Sequence, residues 1–410
     1  MLKSLIALSV AALLAAAPAS AQLRDFDKYC DLDGYEPAQR ETLIVIDSQL
    51  ITLGENTLEE NRPWRERLIQ LLNTENSGAL NRWAPRERLT VSIAEGDGSG
   101  LRSVFSGCMP LYSGPEERDL RENEGSLNAF LTGGWQKQLE NDRRDFQRSL
   151  TFSLVEGIKD LSAPVPGQRF VESGLGQSLV RGYRPTFQYG VPRLIILTKL
   201  EAYDLPAGDT ETVRYTGRAD ASEWKADLGR SEVHILGADG ATEAAGKEYL
   251  RSIFLASKGN VVTMAGLTGA VLTDDPPASI RVFDGRISYP DGTYPMKLRL
   301  ALDGNNRAVN SWIEVQSDQI RFVPLAGAVS CTSETQCAFI DAGEFAQVWT
   351  DSPGGEPEFE NWMPFVGFRD IAFDIDGTSV AGLISDSSGY VPEMEDGLEF
   401  SLNLSANSSF

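Results

Sequence analysis

The chain has 410 residues, with 59 acidic and 37 basic side chains and a formal charge of −22 at pH 7. A surface this acidic repels the phosphates of nucleic acids and the headgroups of anionic lipids, so neither is expected as a partner. The length exceeds what one hydrophobic core usually organises, and two domains are expected.

Residues 1–21 carry the features of a cleavable secretory signal: Lys3, an apolar run from Leu5 to Ala17, and the small-residue site Ala19-Ser20-Ala21. That run is shorter than the roughly 20 residues of a membrane-spanning helix, and no later stretch approaches that length. Export to a periplasm or beyond, without membrane insertion, is therefore expected. Cys30, Cys108, Cys331 and Cys337 form an even set in a chain read as exported, which favours two disulfides. Three pairings are formally possible. The short polar loop between Cys331 and Cys337 favours that pair, leaving Cys30 with Cys108.

From Gln22 to Gly266, strand and helix signals alternate. Thr42–Asp47 is a continuous apolar run ending in a carboxylate, as in a strand buried on both faces. A helix is expected between Thr57 and Asn73, with Trp64, Leu68, Leu71 and Leu72 on one face and Pro63 in its first turn. Arg88–Ala94 and Leu101–Cys108 read as strands joined by a Gly/Asp/Ser loop, hence antiparallel. A long helix is expected from Ser126 to Ile158, interruptible at Gly133-Gly134, and a short one from Ser173 to Gly182. Strands at Arg193–Thr198, Glu232–Leu236 and Asn260–Ala265, with a helix at Thr242–Ala256, complete the unit. This alternation predicts an α/β fold, a doubly wound and mostly parallel sheet.

From Leu267 to Phe410 the texture changes. This part holds 22 acidic and 7 basic residues, helical periodicity disappears, and short alternating runs recur between Gly, Asp, Asn and Pro clusters. An acidic all-β sandwich or barrel is expected.

Ligands of doubly wound sheets bind beyond the carboxyl ends of the strands. Three segments end there in polar residues: Ile44-Val-Ile-Asp47-Ser48, Ser173-Gly-Leu-Gly-Gln-Ser-Leu179 and Ile195-Ile-Leu-Thr198-Lys199. In order and spacing they resemble the three metal-site segments of von Willebrand A domains, a D-x-S-x-S strand end, a T-x-x-G-x-A-L helix start and a T-D-G strand end. The resemblance covers Thr42 to Ala265 and is to a degenerate form of that site. Asp47 holds the first aspartate position and Ser173 the threonine position. Gln49 and Ile51 stand at the two serines, and Lys199 at the second aspartate. A divalent cation of the magnesium type takes about six oxygen ligands, so no metal and no other cofactor is expected here. Ser48, Glu201 and Asp204 are the substitute oxygens available. Lys199 is expected to pair with Asp47 where an ion would lie. The resemblance implies a non-enzymatic binding or scaffold protein that presents Asp47, Ser48, Gln49, Ser173 and Lys199 to another protein of the cell envelope. The alternatives are a cation-dependent adhesin-like domain and a carboxylate-dependent hydrolase in the β part.

Other motifs are set aside. Asp374-Ile-Asp376-Gly377-Thr378 looks like the first motif of haloacid dehalogenase-type phosphatases but lies in the all-β part, with too few residues after it. Gly240–Glu248 mimics a phosphate loop with one residue too many between its glycines, and Gly174-Leu-Gly176 lacks a preceding strand and a third glycine. His234, the single histidine, falls within a predicted strand and is read as structural.

Overall fold

In the computed structural model the described residues lie between 26 and 405; residues 1–25, 31, 33–34, 36–37, 52–56, 74–80, 125–133, 160, 186–189, 239–243, 270, 273–274, 317–319, 326, 332–336, 341–347, 351–369, 376–377, 386–396 and 406–410 are not described. The signal-like segment, Asp376 and Gly377 thus lie outside them.

Six strands form the first sheet: β1 (Arg40–Asp47), β2 (Arg88–Ala94), β3 (Leu101–Cys108), β4 (Val191–Leu197), β5 (Ser231–Leu236) and β6 (Gly259–Ala265), in the order β3-β2-β1-β4-β5-β6. Every neighbouring pair is parallel except β2–β3, the hairpin expected from its loop. The period of two in each strand divides the core. Ile44, Ile46, Ile195 and Leu197 enter one cluster, while Val45, Leu194 and Ile196 enter another on the opposite face.

Helices cover both clusters. α1 (Thr57–Glu60) leads into α2 (Arg62–Leu71), and α3 (Gly114–Asn123) precedes α4 (Gly134–Gly157); α2 and α4 lie on the first face and supply Trp64, Leu68, Phe146, Leu150 and Leu154 to the core. On the second lie α5 (Gly174–Gly182), α6 (Thr210–Trp224) and α7 (Ala244–Ala256). α2 begins with Pro63 in its first turn and buries Trp64, Leu68 and Leu71 as the sequence predicts. α4 begins at Gly134, where Gly133-Gly134 was expected to interrupt the long helix, and the expected stretch 126–133 lies outside the described residues.

Helices α3 and α6 have no counterpart in the sequence reading. α3 buries no residue, so it has no apolar stripe to detect; a capping box between Ser113 and Glu116 starts it. α6 turns Val213, Gly217, Asp220, Ala221 and Trp224 inward, a buried face too small and polar to give a clear helical period.

The second sheet has ten strands, all paired antiparallel. They are β7 (Ser279–Tyr289), β8 (Gly292–Leu302), β9 (Ser311–Gln316), β10 (Ile320–Leu325), β11 (Ala328–Cys331), β12 (Cys337–Ile340), β13 (Val348–Thr350), β14 (Asp370–Ile375), β15 (Ser379–Ser385) and β16 (Leu398–Leu404). The order is β11-β12-β14-β15-β16-β7-β8-β9-β10-β13. β10 and β11 stand eight places apart in that order, a span of about 40 Å in a flat sheet. The short link between them reaches only about 11 Å. The sheet must therefore roll, and Leu325 of β10 and Val329 of β11 do share one core cluster with Phe283, Leu298, Phe400 and Leu402. β11 and β12 were not anticipated from the sequence. Cys331 and Cys337 face each other in the register of that hairpin.

Cys30 and Cys108 are joined in a disulfide across 78 residues of chain. It pins the segment around Phe26 and Tyr29 against β3 and α4, where Phe26 packs on Phe105 and Phe146.

The N-terminal ends of the parallel strands hold a charge network that hydrophobic periodicity did not reveal. Arg40, Glu87 and Arg193 are almost wholly buried. Glu87 accepts from Arg40 Nε at 3.1 Å, Arg193 Nη2 at 2.9 Å and the Ala84 amide at 2.8 Å, and also from the Thr42 hydroxyl. Arg193 reaches Thr42 Oγ1 and Asn81 Oδ1 as well, each at 2.8 Å, and lies over the Trp83 ring. Burial pushes Glu232 up, but His234, 2.6 Å away, and the charges of Arg40 and Arg193 outweigh it and hold the carboxyl down to about 2. The rolled sheet docks at this same end. Arg230, just before β5, pairs with Glu314 of β9; Asn310 donates to the Pro192 carbonyl at 3.1 Å, and Arg299 to that of Arg230 at 3.0 Å.

Candidate functional site at the switch point

Strand order reverses between β1 and β4, so their carboxyl ends flank the crevice where doubly wound sheets bind ligands. Asp47 ends β1, and Thr198 follows the last residue of β4. Ser173 caps α5, accepting from the Gly176 amide at 3.1 Å and donating to the Phe170 carbonyl at 2.6 Å. Gly174 and Gly176 are needed for packing here. A β-carbon would lie 2.6 Å from the Gly96 carbonyl oxygen at the first and 2.2 Å from the Phe170 carbonyl oxygen at the second. This close approach, rather than a dinucleotide, accounts for the Gly-Leu-Gly pattern.

The sequence-selected residues separate into buried and outward groups. Asp47, Ser48 and Ser173 are buried, Gln49 is half-buried, and Lys199 is exposed. The expected pairing of Lys199 with Asp47 is not formed. The Lys199 ammonium lies 4.0 Å from Glu201 in a half-exposed pair. The ammonium stays hydrated at the rim because Asp47 is already satisfied from within. Its Oδ1 accepts from the Gln49 amide at 3.0 Å; its Oδ2 accepts from Thr198 Oγ1 at 2.5 Å and from the Tyr203 phenol.

Tyr203 is the residue the sequence reading missed. It follows Leu200–Ala202, a single 3-10 turn, and its ring packs edge-on against Phe170. Burial, together with the Asp47 charge and hydrogen bond, pushes its phenol well above the ordinary range, opposed by hydrogen bonding with Thr198 and Ser173. Its hydroxyl donates to Asp47 and so ties the segment after β4 to the end of β1, at the place where Lys199 was expected to act. Burial likewise raises Asp47, against the hydrogen bonds of Thr198, Tyr203 and Gln49 that lower it. The Ser48 hydroxyl is buried without a hydrogen-bond partner among the described residues.

No protein-family model matches the chain, and no curated protein matches it.

These side chains do not fit a divalent cation. The lone carboxylate has both oxygens engaged by protein donors, and Ile51, at one serine position, is buried and apolar. Above the crevice the chain closes over itself. Gln49 Nε2 donates to the Val165 carbonyl at 3.0 Å, and the Gly167 amide to that of Ala202 at 2.8 Å. The turn around Pro164–Gly167 thus straps the β1 end to the segment after β4, leaving Val165 53% exposed at its crest.

A titration follows from the raised Asp47. A carboxyl whose folded value exceeds the unfolded one favours folding below the unfolded value, about 3.9, and loses that contribution as pH rises through the folded value. Asp47→Asn removes this loss. Its stability relative to the wild type should increase from pH 4 to pH 8, measured by urea unfolding at several pH values. A constant difference between the two proteins would refute the direction given for Asp47.

Proposed function

We propose that the chain is an exported, non-enzymatic binding protein whose α/β part is a von Willebrand A-like domain. It engages an envelope protein through the strand-end face, without a metal ion or other cofactor. The observation that carries this reading is the enclosure of Asp47 by Thr198, Tyr203 and the Gln49 amide. The residue that would attract an ion is a structural acceptor, and the outward surface is built from Gln49, Val165, Lys199 and Glu201. The strand order and the position of Asp47 at its reversal agree with the resemblance drawn from the three segments.

Melting with and without millimolar Mg²⁺, Mn²⁺ or Ca²⁺ tests the metal-independent part. The expected result is no shift in Tm for the wild type. Tyr203→Phe should destabilise by about 1.5–3 kcal/mol, the cost of a hydrogen bond to a buried charged group, again without a cation effect. A cation-dependent rise in Tm, lost in Asp47→Ala, would instead establish the adhesin-like alternative. For the partner, a photo-crosslinking residue at Val165 in intact cells should give a discrete protein adduct that the same residue at Leu404, 43% exposed on the second sheet, does not. Equal adducts at both positions would remove the strand-end face as the binding surface.

A further inference from the structure

On the face of the α/β unit away from the second helix layer, α2 and α4 leave a groove of about 620 Å³ between them. Ile69 and Leu72 line it from the α2 side, and Arg144, Arg148, Phe152 and Val155 from α4. These four α4 residues recur at spacings of four, four and three and form one outward stripe, while buried Leu150 of the inward stripe contributes to the floor of the groove. The groove is apolar at one end and cationic at the other. Ile69 is 44% exposed and Phe152 52%, so two large apolar side chains lining the groove stand open to water. Among the described lining residues no carboxylate appears, in a chain that carries 59 of them. Among the described residues Arg144 forms no ion pair, and Arg148 has a 3.7 Å contact with Asp145 one turn earlier on its own helix.

We propose that this groove binds an acidic amphipathic helix of a partner protein. The apolar side chains of that helix would rest on Ile69, Phe152 and Val155, and its carboxylates on Arg144 and Arg148. A small ligand is the poorer occupant, because small-molecule sites bury most of their ligand and this groove leaves its apolar walls half exposed. A helix laid between two helices covers such walls and places anchors at spacings of three and four. Charge decides its sign. With a net charge of −22 the molecule as a whole favours cationic peptides, so a preference for an acidic one can arise only from a local cationic site. The proposal concerns a surface separate from the strand-end face and stands whether or not that face binds anything.

The test uses the full chain and two labelled synthetic helices with the same leucine face, one flanked by glutamates and the other by lysines, followed by fluorescence anisotropy. The glutamate peptide should bind at least about tenfold tighter, a difference of about 1.4 kcal/mol, and lose affinity as salt is raised. Arg144→Glu with Arg148→Glu should invert the preference. Phe152→Asp should abolish binding of both peptides while leaving Tm unchanged, since the side chain is exposed; Ile69→Asp is the second variant for the same end. Tighter binding of the lysine peptide, no binding of either, or a preference that survives the double charge reversal would overturn the proposal.

Discussion

Glu87→Gln is expected to lower the free energy of unfolding by about 3–5 kcal/mol, the usual cost of removing one partner from a buried ion pair. The carboxylate is enclosed and serves two guanidinium groups at once, together with the Thr42 hydroxyl and the Ala84 amide. The amide variant keeps the shape but leaves Arg40 and Arg193 charged and buried, with Glu232 as the remaining carboxylate that acts on them. Burial already lowers Arg193 to about 10, the Arg40 charge adding to the effect, against the pull of Glu87 and Glu232. Urea unfolding at pH 7 measures the loss. The comparison that isolates charge is the triple replacement Arg40→Met, Glu87→Leu and Arg193→Met. It should cost much less than Glu87→Gln alone, because buried ionic groups often exchange for apolar ones at little cost when all leave together. If Glu87→Gln unfolds within 1 kcal/mol of the wild type, the network contributes nothing beyond filling space.

The two ends of the parallel sheet divide the work. Buried charges at the strand starts fasten β1, β2, β4 and β5 together and lie beside the contacts of the rolled sheet. The strand ends carry the crevice. Much of the fold was legible because the parallel strands are unbroken apolar runs and the hairpin loop has turn chemistry. α3 and α6 were not, since their inward faces are absent or small and polar. At the site, Asp47 and Ser173 could be placed because each ends or begins an element. The partner of Asp47 could not. The lysine two residues past β4 was the nearest opposite charge in sequence, but the short turn through Leu200 carries Lys199 outward and brings Tyr203 in. A tyrosine six residues past the end of β4, in a segment with Leu200 as its other buried apolar residue, was the available signal. The charge network was equally concealed, because Arg40 and Arg193 look like strand-edge residues until the sheet places them on either side of Glu87.

Removing the Cys30–Cys108 disulfide by changing both cysteines to serine is expected to cost about 2–4 kcal/mol. The bridge spans 78 residues, and closing a loop of that length takes considerable entropy from the unfolded chain. Its enthalpic surroundings point the same way. The pinned segment buries Phe26 against Phe105 and Phe146, and it holds Tyr29 on Asp142, a buried carboxylate that also accepts from Lys28 at 2.8 Å. Freed from the bridge, residues 26–30 would rest on these contacts together with the Asp27–Arg88 ion pair and the Cys108 amide on the Phe26 carbonyl, so the variant should fray there before it unfolds globally. Limited proteolysis should then cut near Lys28 in the serine variant but not in the wild type, and Tm should fall. The same experiment bears on the proposed export. A chain made where thiols stay reduced should match the serine variant in stability, and oxidation should restore the difference. If reduced and oxidised protein melt together and resist protease alike, the aromatic and Asp142 contacts suffice, and the bridge is no evidence for the compartment in which this chain folds.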